Sequence, residues 1–214
     1  MDSQRKISVA VIRRLPGYYR YLKRLEMEGV QRISSQDLGQ QMGLTASQIR
    51  QDMNCFGGFG QQGYGYNIHE LRLKISEILG LDRSYTMAIV GAGKIGQAIL
   101  SYDGFRSMDF HITAMFDTDP ELIGRRVRDI TIYDAANIRE VLTASPVDVG
   151  VVAVPEASAQ WVCDMLTGCG VRAIWNFAPI DLNVGRDVAI NNVHLSDSLM
   201  VLTYSMRHSH GSGK

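Results

Sequence analysis

The sequence predicts an α/β protein in two parts: an all-α first part carrying a glycine-rich hairpin, then a larger parallel-sheet part. Three observations predict it. Apolar residues recur every three or four positions from Ile7 to Leu25, as one face of a helix requires. Five glycines interleaved with aromatics crowd residues 57–66 and exclude helix there. From Tyr85 onward, apolar strand-like runs alternate with helical spacing, the signature of a sheet covered on both faces.

In the first part, Ile7, Val11, Ile12, Leu15, Tyr18, Tyr19, Leu22 and Leu25 form the helical stripe. Pro16 and Gly17 are expected to kink it or to separate two short helices, and Gly29 to cap its end. Ser34-x-x-Asp37 opens a second helix with Leu38 and Met42 inward, ending at Gly43. Thr45-x-x-Gln48 reads as a reciprocal capping box opening a third helix whose apolar face is Leu44, Ile49 and Met53. Two short helices joined by a glycine turn make a helix-turn-helix unit. The hairpin after it is a wing, and helical spacing returns over 68–80. This all-α winged-helix domain is assigned to residues 1–82.

In the second part, strands are expected at Met87–Val90, Ile112–Phe116, Val149–Val154, Ala173–Phe177 and Val188–Val193. Helices are expected at about 94–104, 135–144, 156–169 and 196–207. This Rossmann-like parallel-sheet domain is assigned to 83–194. A last helix and a disordered tail from His208 occupy 195–214.

Gly91-Ala92-Gly93-Lys94-Ile95-Gly96 follows the strand Met87–Val90 and opens a helix, the setting a dinucleotide fingerprint requires. Gly91 permits the tight turn, Gly93 lets backbone approach a pyrophosphate, and Gly96 lets the helix pack on the strand. The helix start offers free N–H groups to phosphate. Asp117 ends the next strand, where an acid bonds the ribose hydroxyls and repels a 2′-phosphate, so NADH and NAD+ are favoured over the phosphorylated cofactors. Arg125, Arg126 and Arg128 read as a solvated loop. Val154-Pro155 and Asn176-Phe177-Ala178-Pro179 lie at carboxyl ends of strands, where ligands of open α/β sheets sit. Val154, Pro155, Asn176, Phe177 and Pro179 are therefore candidate nicotinamide walls.

No catalytic residue is assigned. Tyr19-x-x-x-Lys23 imitates a dehydrogenase acid/base pair but lies upstream of the glycine loop. His111 and His194 read as structural, and about 130 residues after Tyr85 leave no room for a substrate domain. A nucleotide domain without a substrate domain suggests a sensor.

The formal net charge of zero hides a split. Residues 1–80 hold 11 basic and seven acidic side chains, the remainder 11 and 15, so a phosphate-facing surface is expected in the first part. No apolar run reaches the roughly 18 residues of a membrane span, and the first residues lack a secretory apolar core. Cys55, Cys163 and Cys169 are scattered, with no metal-ligand spacing. Reduced thiols, a cytoplasmic location and no metal are expected, with Cys55 buried and structural.

Arg14–Leu22, Thr45–Asp52, Phe56–Gly60 with Gly63–Tyr66, Gly91–Gly96 and Asn176–Pro179, in that order, resemble the Rex family of redox-sensing repressors over nearly the whole chain. The resemblance implies a homodimer with the final helix swapped between subunits, binding palindromic operator DNA, without membrane or metal. It implies that NADH closes the dimer and releases the DNA, while NAD+ leaves the DNA-competent form available. Under this reading Thr45, Ser47, Gln48, Arg50 and Gln51 of the third helix face the major groove, where Gln and Arg read base edges. Arg14, Tyr18 and Lys6 hold phosphates, and Gln61, Gln62 and Tyr64 supply the wing. Tyr102 touches the cofactor and joins His194 and Asp197 in the switch. The chain departs from the family in Gln51, Gln61 and Gln62, where basic residues are common, in Lys94, and in His194, where many members have Asp. Two other classes also fit the residues: a small NAD-dependent oxidoreductase, and a CoA- or adenylate-binding Rossmann module.

Overall fold

A computed structural model of the chain describes residues 7–57, 60–61 and 65–208. The chain divides into two compact units, one through Arg83 and one from Ser84.

The first unit is built on α1 (Val9–Met27), with Ser8 accepting from Val11 N at its start. Pro16 does not divide this helix. Val11, Leu15, Tyr18 and Leu22 form one buried stripe across it, and that packing outweighs the roughly 3 kcal/mol a proline costs inside a helix. Gly17 is where α2 comes close: a Cβ there would meet Met42 Cε at 2.9 Å. The chain continues through β1 (Arg32–Ile33), α2 (Ser35–Met42), α3 (Ala46–Asn54), β2 (Gly60–Gln61), β3 (Gly65–Asn67) and α4 (Ile68–Ile78). The α2–α3 turn is set locally. Ser34 Oγ accepts from Asp37 N at 3.0 Å, Gly43 takes the left-handed conformation at φ 65°, and Thr45 Oγ1 accepts from Gln48 N at 3.1 Å. The expected reciprocal box is only half made, because the Gln48 side chain turns to Asp52 instead. The wing is part of a three-stranded antiparallel sheet in the order β1-β3-β2. Two-residue β1 is too short to show a period in sequence. One apolar core joins Leu15, Tyr18, Leu22, Leu38, Ile49, Ile68 and Leu71.

The second unit runs β4 (Tyr85–Val90), α5 (Lys94–Ser101), β5 (Phe110–Asp117), β6 (Arg126–Val127), β7 (Ile130–Asp134), α6 (Ile138–Ala144), β8 (Val149–Val152), α7 (Glu156–Gly168), β9 (Ala173–Asn176), β10 (Ala189–Asn192) and α8 (Leu195–His208). Its sheet has the order β10-β9-β8-β4-β5-β7-β6. All pairs are parallel except β6–β7. Five strands are expected from sequence and seven form. The stretch expected as a solvated arginine loop is a hairpin, with Arg128 in the left-handed region at φ 53°, and its return strand β7 pairs with β5. The apolar core lies on both sheet faces. His208 ends α8, its ring stacked on Tyr204 at 4.0 Å, so the expected disordered tail does not begin there. The rest of that tail lies outside the described residues.

Candidate nucleotide site and nucleic-acid interface

The glycine loop does what its spacing predicts. Gly91 sits at φ 104°, and a Cβ on it would lie 2.3 Å from the Ala153 carbonyl oxygen. A Cβ on Gly96 would lie 1.9 Å from the Gly91 oxygen, so only glycine lets α5 settle on β4. A Cβ on Gly93 would meet nothing within 4 Å beyond its chain neighbours, and as N-cap of α5 it makes no side-chain cap. The first N–H groups of α5 are therefore offered outward, where an anion binds best. Gln97 Nε2 donates to the Ala92 carbonyl at 2.6 Å and steadies the loop.

Asp117 ends β5 beside this loop. Its Oδ2 accepts from Ala92 N at 2.6 Å, and its Oδ1 accepts from Thr118 N and Asp119 N at 2.8 and 2.9 Å. The carboxylate is thus fixed in orientation, as a ribose-diol acceptor must be. A cavity of about 220 Å³ opens between them, walled by Gly91, Gly93, Asp117, Val154, Pro155 and Trp161. Loop, acid and cavity fit an adenosine diphosphate moiety.

The other expected cofactor residues are not among those that wall this cavity. Lys94 and Pro179 are exposed and Ile95 is 39% exposed. Asn176 is fully buried. Its Nδ2 donates to Ile180 O at 2.7 Å and to Asn192 Oδ1 at 3.0 Å, while its Oδ1 accepts from Ala178 N at 2.9 Å. Its polar atoms are engaged by the loop after β9 and by Asn192 on β10. Phe177 packs edge-on against Trp175 at 4.6 Å. Tyr102 packs edge-on against Phe105 and lines a separate cleft of about 100 Å³ with Arg106 and His111. His194 Nε2 lies 3.0 Å from Asp181 Oδ1, and the His194 carbonyl accepts from Asp197 N in the first turn of α8.

In the first unit, α3 presents Ser47, Arg50, Gln51 and Asn54 as an exposed polar face over an open groove of about 1030 Å³ shared with Arg14 and Cys55. Arg50 Nη1 donates to Ser35 Oγ at 3.1 Å. The residue that sequence reasoning missed is Asp52, fully buried on the inner face of α3. Its carboxylate accepts from Arg14 Nε and Nη2, each at 2.7 Å, from Tyr18 Oη at 2.7 Å and from Gln48 Nε2 at 3.2 Å. Tyr18 is 0% exposed, so its expected phosphate contact is corrected: its hydroxyl ties α1 to α3. Gln48 Nε2 is drawn to Asp52 and Thr45 Oγ1 accepts from Gln48 N, while Thr45 stays exposed and Gln48 lines the groove. Arg14 stands one helical turn before Tyr18 on α1, and nothing near either residue in sequence points to a carboxylate 38 positions away. Cys55 is exposed, not buried, its Sγ donating to Gln51 O at 3.4 Å. The Gln61 side chain, Gln62, Tyr64 and Lys6 lie outside the described residues.

No group of three or more metal-ligating side chains occurs among the described residues, and none of their helices is long and apolar enough to cross a membrane. A helix-turn-helix with an outward polar face, on one chain with a dinucleotide-type cradle, defines a nucleotide-responsive DNA-binding regulator.

Residues 6–54 match the family described as "Putative DNA-binding protein N-terminus", and residues 82–180 match the family described as "CoA binding domain". The chain is 54% identical over 209 residues to the redox-sensing transcriptional repressor Rex of Clostridium beijerinckii, covering 98% of this chain and 99% of the relative. It is 53% identical over 206 residues to Rex of Clostridium tetani, covering 96% and 98%. Among solved structures, RSP in complex with β-NAD+ and operator DNA superposes with a TM-score of 0.89 at 48% identity, covering 95% of this chain and 94% of that one. RSP in complex with β-NADH superposes at 0.88 and 45% identity, covering 96% of each. The chain belongs to the Rex family of redox-sensing transcriptional repressors, and its relatives carry the names of repressors rather than enzymes.

Proposed function

We propose that this chain holds a palindromic operator as a homodimer and leaves it when NADH occupies the glycine-loop cavity. The observation that carries the proposal is the pairing in one chain of the uncapped α5 start and fixed Asp117 carboxylate with the outward Ser47, Arg50 and Gln51 face. The solved relatives bound to operator with NAD+, and to NADH, support it. In this reading the Gly91–Gly96 turn, with Gly93 and Lys94 exposed at its mouth, meets the pyrophosphate, Asp117 the adenosine ribose, and Val154 and Pro155 the far wall. Bound NADH supplies no reaction; it is a signal that favours one shape of the dimer over the other.

The division into a DNA-binding part over 1–82, a nucleotide-binding part over 83–194 and a swapped helix over 195–214 belongs to the same proposal. Leu199, Val201, Leu202, Tyr204 and Met206 of α8 are 54–66% exposed, which supports burial against a second subunit. Tyr102, His194 and Asp197 are assigned to the contact that changes between the two shapes. The matched description of the nucleotide domain names CoA, whose adenosine carries a 3′-phosphate that Asp117 would repel.

Operator gel shifts with NADH and NAD+ titrated separately, at several salt concentrations, test the reading. NADH weakens the complex and NAD+ does not; a complex indifferent to NADH overturns it. Calorimetry with NADH, NADPH and CoA ranks NADH first, and preference for CoA overturns the assignment of the ligand.

A further inference from the structure

The chain has two tryptophans, and they are placed very differently. Trp175 on β9 is locked between Phe105 and Phe177, edge-on at 5.7 and 4.6 Å. Trp161 on α7 has no ring partner among the described residues and is 51% exposed. It stands on the wall of the 220 Å³ cavity that holds Gly91, Gly93 and Asp117. Its neighbour Val162 is buried, so the indole sits at the lip of α7, where the helix meets the cavity.

If Asp117 takes the ribose diol, the base attached to that sugar falls within a few ångströms of it, in the same cavity. The walls left for it are largely aliphatic, from Ala135, Val154 and Val162. A purine needs little hydrogen bonding to be held there, but its flat π face is best covered by another flat ring. An exposed indole costs solvation until a ring covers it, and the cavity offers a place for that ring.

We propose that Trp161 is a stacking platform for the adenine of the bound nucleotide and sets how tightly the purine end is held. This rests on reading NAD(H) as the ligand of the glycine loop. Trp161 is a positioning residue, acting on the base and not on the nicotinamide.

The test uses the full chain and titrates ADP-ribose and NADH into wild type, Trp161→Ala and Trp161→Phe by calorimetry. Trp161→Ala weakens both ligands about tenfold, as loss of one base–aromatic stack does. Trp161→Phe recovers most of the affinity, which a role in packing alone would not require. In Trp175→Phe, Trp161 is the sole tryptophan, and its emission is quenched by ADP-ribose. Wild-type affinity for ADP-ribose in Trp161→Ala, or unquenched Trp161 emission in Trp175→Phe at saturating ADP-ribose, overturns the proposal while leaving NADH as the ligand. Failure of wild type to bind NADH overturns the underlying reading, and the proposal with it. Should Trp161→Ala fail to fold, the quench in Trp175→Phe decides.

Discussion

Arg14 grips Asp52 with two parallel hydrogen bonds, Nε to Oδ2 and Nη2 to Oδ1, each at 2.7 Å. The arginine side chain is 27% exposed and the carboxylate 0%. This pair, with Tyr18, pins the inner face of α3 to α1 and so decides which residues of α3 point outward. The partners are not equivalent. Without Arg14 a buried carboxylate keeps no counter-charge, which costs about 3 kcal/mol. Without the Tyr18 hydroxyl it loses one of several donors, about 1 kcal/mol. Urea unfolding is expected to rank Arg14→Ala well below Tyr18→Phe, with operator affinity following the same order.

The Asp52 network also sets an acid limit. Burial pushes the Asp52 carboxyl up, but hydrogen bonds from Arg14, Tyr18 and Gln48 outweigh it and hold it below the usual carboxylate range. A carboxyl lowered on folding stabilises the fold above its unfolded pKa of about 3.9 and ceases to as pH falls through the folded value. Thermal unfolding of wild type should therefore fall more steeply below about pH 4 than that of Asp52→Asn. Parallel curves would remove Asp52 from the account.

Two glycines of the nucleotide loop separate fold from binding. Gly96→Ala places a methyl against the Gly91 oxygen, so both thermal stability and NADH binding fall. Gly93→Ala meets no protein atom within 4 Å, so unfolding is unchanged while the methyl stands where the pyrophosphate approaches. NADH affinity is expected to drop at least about tenfold, or 1.4 kcal/mol, by calorimetry.

The proposed DNA contacts lie on the outer face of α3. Arg50→Ala is expected to weaken operator binding by about 1–3 kcal/mol if it reads a base, with relaxed preference at one position. If it only meets phosphate, all sequences weaken alike and the salt slope falls by about one. Competition gel shifts across salt concentrations tell these apart.

The three thiols should report their surroundings. Cys55 is exposed and Cys163 buried, and burial, with the nearby Asp164 charge, pushes the Cys163 thiol up. A thiol reagent on the native chain labels Cys55 first and Cys163 only on unfolding. Bound operator should slow Cys55, because it lines the α1–α3 groove.

Features that a few neighbouring residues settle among themselves were legible in sequence. Ser34 and Thr45 cap the next helix, Gly43 takes a left-handed turn, and Gly91 and Gly96 remove side chains where backbone must pass. The alternation of apolar runs exposed the parallel sheet, because strands buried on both faces cannot tolerate polar interruptions. Illegible were features that join distant segments. Arg14 and Asp52 are 38 positions apart, and nothing local to Tyr18 says that its hydroxyl is spent inside the core. The β6–β7 hairpin opens on a run of arginines that hides the short apolar alternation of Ile130 and Ile132, and its pairing with β5 makes it part of the sheet. Trp161 carries no period or motif that sets it apart from a core residue.

By itself the sequence determined the helix caps, the glycine loop, Asp117 at the end of its strand and the family to which the motifs point. Each depends on backbone conformations and hydrogen bonds spanning a few residues. The tertiary structure decided which polar side chains remain free to act. It turned Tyr18 and Asn176 inward, engaged Gln48 with Asp52, and left Ser47, Arg50, Gln51 and Trp161 facing out. Whether a donor is satisfied by the protein or offered to a ligand depends on which distant segment folds against it.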